Sequence, residues 1–98
     1  MIVRIVKMTF QADKISNFIH LFKQSKSKIK QYSGCLYLEL LMDIKEKNIY
    51  YTYSHWADEQ ALEKYRKSEF FRNTWAQTKV LFAAKPEAVS LISLTKVG

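Results

Sequence analysis

Every segment of this chain that reads as a β-strand carries apolar side chains on both faces, yet its helical segments suffice to cover only one. Alternate residues of a strand point to opposite sides, so a sheet with one wet face should alternate apolar with polar. In residues 2–10, Ile2, Val6, Met8 and Phe10 share one side while Val3 and Ile5 take the other. In 35–43, Leu36, Leu38 and Leu40 oppose Tyr37 and Leu41; in 48–56, Tyr51, Tyr53 and His55 oppose Tyr50 and Trp56. The last segment, "AVSLISLTKV", sets Val89 and Leu91 against Ile92 and Leu94. Soluble monomers avoid large bare apolar faces, so the pattern predicts a homodimer joined through the uncovered sheet face. Burying about 700 Å² of apolar surface per subunit would contribute on the order of 15 kcal/mol gross at 25 cal/mol/Å², before association costs.

Between the strands, Ile15, Phe18, Ile19, Phe22 and Ile29 recur at helical spacing and mark one buried stripe. Asp13 is expected to cap that helix, and Gly34 suits its left-handed exit. The lysines of "KQSKSKIK" (23–30) read as its wet side. The polar "IKEK" implies a hairpin. Asp58 is placed to cap a short helix carrying Ala61, Leu62 and Tyr65. Ser68 starts a second helical piece with the stripe Phe71, Trp75, Thr78 and Phe82. The order β-α-β-β-α-β, with right-handed crossovers, predicts an α+β ferredoxin-like sandwich: one antiparallel sheet with its helices on one face. At 98 residues, 1–98 is read as a single domain.

Composition narrows the function classes. Thirteen lysines and three arginines against nine acids leave a net charge of +7, but phosphate and base recognition favour arginine, which is scarce, so nucleic acid is not the expected partner. An RNA-binding module of this fold would show a glycine-containing aromatic strand motif, and none is present. No apolar run is long enough for a membrane span. The first ten residues are broken by Arg4 and Lys7 and lack a cleavage site, so the chain reads as cytoplasmic. The lone Cys35 allows no internal disulfide, and no metal-ligand spacing appears. His20 falls on the polar side of the first helix. His55, by alternation, faces away from Ser54 and Trp56.

The stretch "YYTYSHWADEQALEKYRKSEFF", with Trp75 beyond it, resembles the antibiotic biosynthesis monooxygenase (ABM) family of dimeric α+β barrels. Trp56, Asp58, Ala61, Leu62, Ser68 and Phe71 fit the family outline, and length and element order extend the resemblance over nearly the whole chain. Two positions depart from it: Ser54 stands where quinol-oxidising relatives carry an acid, and Tyr65 where they carry a histidine. The haem-degrading branch relies on asparagine, tryptophan and histidine at positions that fall near Val6, Tyr65 and Trp75 here. None is retained, so haem degradation is not implied.

The resemblance implies a monooxygenase that needs neither metal nor flavin and acts on a small aromatic or quinol-type substrate between helices and sheet. Such a site requires aromatic walls, hydrogen bonding that favours the substrate anion, and exclusion of water. Tyr65 and Trp75 are the candidate catalytic donors. Arg4, Phe22, Ser54, Trp56 and Phe71 are the candidate substrate contacts, with Phe18 and Phe82 as further wall. The alternative is a non-catalytic ABM-like dimer that binds a small hydrophobic ligand.

Overall fold

The pairing of the first strand with two neighbours sets the architecture. The computed structural model describes residues 1–98. Its elements are β1 (Ile2–Thr9), α1 (Ile15–Lys30), β2 (Cys35–Met42), β3 (Ile49–Trp56), α2 (Glu59–Arg66), α3 (Glu69–Lys79) and β4 (Glu87–Leu91). The strands form one antiparallel sheet in the order β2-β3-β1-β4. β1 and β3 pair along their whole length, from Ile2 opposite Trp56 to Thr9 opposite Ile49. That register puts Ile2, Met8, Tyr50, Ser54 and Trp56 on one side, where all five are buried. The helices pack on this side only: Ile29 of α1 and Leu62 and Tyr65 of α2 join Ile2, Cys35 and Trp56 in one core cluster. A second cluster gathers Met8, Phe10, Phe18 and Tyr50.

Local chemistry explains the corners. The Asp58 carboxylate accepts from the Ala61 N–H at 2.8 Å and starts α2. Ser68 does two jobs between α2 and α3: its Oγ accepts from the Phe71 N–H at 3.1 Å and donates to the Tyr65 carbonyl at 2.6 Å. Asp43 closes the hairpin by accepting from the amides of Lys45 and Glu46. Gly34 adopts φ +88°, and a Cβ there would collide with the Ala61 Cβ. Gly34→Ala is therefore expected to cost about 2–4 kcal/mol, from the left-handed backbone plus overpacking against α2. Thermal unfolding should show Tm lower by about 10–20 °C.

Three expectations are corrected. Asp13 does not cap α1; it lies in a 3₁₀ turn, Ala12–Lys14, that runs straight into the helix. The Lys14 N–H already bonds the Gln11 carbonyl at 2.9 Å, so the turn is set by backbone. The last strand stops at Leu91, where its ladder with β1 ends at Val3 opposite Leu91. Ile92 and Leu94 therefore lie outside it. Leu36 does not share the inner face with Leu38 and Leu40: the register shifts between Cys35 and Tyr37, which turns Leu36 outward at 53% exposure.

The outer face of the sheet carries no helix. Val3 and Ile5 of β1 lie there beside Tyr53 and His55 of β3 and Val89 and Leu91 of β4. Tyr37, Val89 and Leu91 are exposed. Polar contacts lace the aromatic part of this surface, with the Tyr37 hydroxyl donating to Glu39 at 3.0 Å and His55 Nε2 2.9 Å from the Tyr53 hydroxyl. No helix is long and apolar enough to cross a membrane.

Candidate functional site

The two core clusters do not meet, and the gap between them is a cavity of about 270 Å³. Its floor is the middle of the sheet, where Arg4 and Val6 of β1 and Thr52 and Ser54 of β3 separate Trp56 from Met8. Phe18, Phe22 and Ile29 of α1 form one wall. Leu62, Tyr65 and Arg66 of α2 and Phe71, Thr74, Trp75 and Thr78 of α3 form the other. Exposed Arg66 and Ala88 mark its mouth, and the Arg4 side chain reaches from the floor to exposed Ser90 of the edge strand β4 there.

All seven site residues expected from the sequence line this one cavity: Arg4, Phe22, Ser54, Trp56, Tyr65, Phe71 and Trp75. Phe18 does as well. Phe82 does not; its ring packs behind the wall, 5.3 Å from Phe10 and 5.6 Å from Trp75. The aromatic side chains form a continuous arc. Trp56 stacks on Tyr65 at 4.9 Å, Tyr65 meets Phe71 edge-on at 5.1 Å, and Phe71 stacks on Trp75 at 5.9 Å. Offset and edge contacts at these separations are the favoured geometries for aromatic pairs.

The polar groups divide into engaged and free. The Trp56 indole N–H donates to Ser54 Oγ at 3.0 Å, and Ser54 Oγ lies 3.5 Å from the Arg4 carbonyl. Ser54 is thus occupied in holding Trp56. The Tyr65 hydroxyl and the Trp75 indole N–H have no partner in the chain, yet no enclosed side-chain nitrogen or oxygen goes unpaired. Both groups therefore border open space, and the space their residues line is the cavity. Burial pushes the Tyr65 hydroxyl above the ordinary tyrosine pKa, with Cys35 and Tyr32 adding to the effect. It stays a neutral donor at physiological pH.

This shift has a sign that can be tested. The folded chain holds the Tyr65 proton more tightly than the unfolded chain, so the associated stability is complete below about pH 10 and is lost as pH rises beyond it. Tyr65→Phe is expected to flatten that alkaline loss in unfolding experiments. At pH 7 it should change stability by less than about 1 kcal/mol, because the hydroxyl has no partner within the chain.

The charged residues on the wall are Arg4 and Arg66, the second of which the sequence reading had not singled out. The position of Arg66 was traceable: Leu62 and Arg66 lie one turn apart on α2, so a buried Leu62 brings Arg66 to the same side. Arg4 Nη1 donates to Ser90 Oγ at 2.9 Å. Burial, then the charge of Arg66, lower the Arg4 pKa, while Glu63 opposes them; a guanidinium stays cationic through such a shift. No carboxylate or imidazole lines the cavity. No group of three or more His, Cys, Asp or Glu is placed to hold a metal ion. Cys35 is buried in the core cluster with Trp56, and burial raises its thiol pKa, as befits a packing residue.

Sheet, helices and split core together define an α+β protein with a small aromatic cavity and a cationic mouth. The model of the family described as "Antibiotic biosynthesis monooxygenase" matches residues 1–77, and the chain belongs to that family. Solved structures share the fold. An antibiotic biosynthesis monooxygenase is 19% identical with TM-score 0.90, covering 97% of this chain and 100% of that one. Rv0793 from Mycobacterium tuberculosis is 18% identical with TM-score 0.89, covering 99% and 98%. A point mutant of SnoaB, a cofactor-independent oxygenase from Streptomyces nogalater, is 14% identical with TM-score 0.86, covering 98% and 95%. No curated protein sequence matches the chain.

Proposed function

We propose that this chain is a monooxygenase that binds a small phenol or hydroquinone against the aromatic arc and oxidises it with dioxygen. The observation that carries the reading is the pairing of a largely apolar cavity with two unpartnered donors, Tyr65 and Trp75. Family membership and the fold shared with an oxygenase support it. The volume, near the lower end for small-molecule pockets, suits one or two fused rings. Tyr65 and Trp75 donate to the substrate oxygen, and Arg4 and Arg66 favour its ionised form. The phenolate gives one electron to dioxygen, and the resulting radical and superoxide combine in a carbon–oxygen bond. The hydroperoxide then loses water to leave a quinone. One dioxygen is consumed per phenol; one of its oxygen atoms ends in the quinone and the other in water. With no base on the wall, the phenolic proton leaves to solvent, so turnover should rise with pH along the substrate's own ionisation.

In this reading the working unit is a homodimer joined through the outer sheet face. Oxygen uptake with naphthols and hydroquinones, measured without added metal or flavin, tests the activity; ¹⁸O₂ should place one labelled atom in the quinone. Tyr65→Phe is expected to lower turnover about tenfold, the effect of losing one hydrogen bond to a charged oxygen. The missing wall base favours a second reading, a binder of small aromatics without turnover. Saturable ligand binding with no oxygen uptake above background would decide for it.

A further inference from the structure

The mouth of the cavity holds more positive charge than a phenolate alone would call for. Arg4 and Arg66 both line it, and the carboxylate nearby, Glu63, is 2.8 Å from Arg66 Nη1 without lining the cavity itself. Arg4 finds no acid: its bond goes to the neutral Ser90 hydroxyl at 2.9 Å. This bond fixes where the guanidinium sits, because Arg4 and Ser90 are direct cross-strand partners between β1 and β4. Two guanidinium groups thus share a single nearby carboxylate, Glu63, which is bonded to Arg66, and a second anion beside them would balance the remaining charge. Burial, then the charge of Arg66, push the Arg4 pKa down, and Glu63 pushes it up.

Resting on the reading of this cavity as a small-aromatic site, we propose that its ligand carries a localised anionic substituent, a carboxylate on the ring system, held between Arg4 and Arg66. Planar guanidinium groups match a carboxylate's two oxygens. The ring lies along the arc from Trp56 to Trp75 while its acid group stays at the mouth, so the natural class is an aromatic or hydroxyaromatic acid. Glu63 competes with the ligand for Arg66.

The experiment compares 2-naphthoate with its neutral isostere 2-naphthamide, following binding to the full chain by tryptophan fluorescence and calorimetry. Naphthoate is expected to bind about tenfold more tightly, the effect of a charge-assisted hydrogen bond. The preference should disappear in Arg4→Gln and in Arg66→Gln, and should widen in Glu63→Gln. Circular dichroism of the variants checks folding, and retained naphthamide binding checks that the cavity is intact. Equal binding of the two probes, or a preference that survives both arginine substitutions, overturns the proposal and leaves the aromatic site standing. Failure of both probes to bind removes the aromatic site and this proposal together.

Discussion

Replacing Trp56 with alanine should remove about 3–5 kcal/mol of stability, a large share of the roughly 5–15 kcal/mol that a domain of this size possesses. Trp56 is 1% exposed and belongs to the cluster with Ile2, Ile29, Cys35, Leu62 and Tyr65. Its ring stacks on Tyr65, so truncation leaves a void where sheet, α1 and α2 converge. It also removes the donor to Ser54. Trp56→Phe separates these contributions by keeping a ring while deleting the N–H, and should cost only about 1–2 kcal/mol. Denaturant unfolding followed by circular dichroism measures both. A Trp56→Ala chain as stable as the parent would show that this end of the molecule is not held together as described.

The second large effect concerns the outer face. Ile5 sits at its centre, paired with Tyr53 on one side and Val89 on the other. In a single copy Ile5 is half-buried, so Ile5→Asp should fold with modest loss. In the proposed homodimer the same substitution places carboxylates in a dry interface without partners, and a buried charge left uncompensated costs about 3–5 kcal/mol. The expected result is association weakened by at least about a hundredfold, read as a shift from dimer to monomer in sedimentation, with circular dichroism unchanged. If the parent chain itself sediments as a monomer at micromolar concentration, the dimer is wrong.

Features of short sequence range are legible in the sequence alone. Asp58 and Ser68 were readable as caps because capping chemistry acts within three residues. Gly34 was readable as a left-handed exit for the same reason. Strand alternation alone assigned Ser54 and Trp56 to one face and His55 to the other. The family motif drew attention to Tyr65, Phe71 and Trp75, which share one wall. Other features hid because two segments distant in sequence decide them. The bulge at Leu36 exists only in the register of β2 against β3. The end of β4 exists only in its pairing with β1, and the recession of Phe82 in the isolated bridge it makes with Phe10.

The chain's own pattern therefore determined which elements form, in what order, and which side chains each presents to the helices. Those properties follow from a period of two or 3.6 residues and from local hydrogen bonding, which act within a few positions. Only tertiary structure decided that the core splits in two, that the split is hollow, and that Arg66 from α2 reaches the same mouth as Arg4 from β1. A cavity is the volume that several surfaces fail to fill, and no single segment encodes the distance between itself and the others.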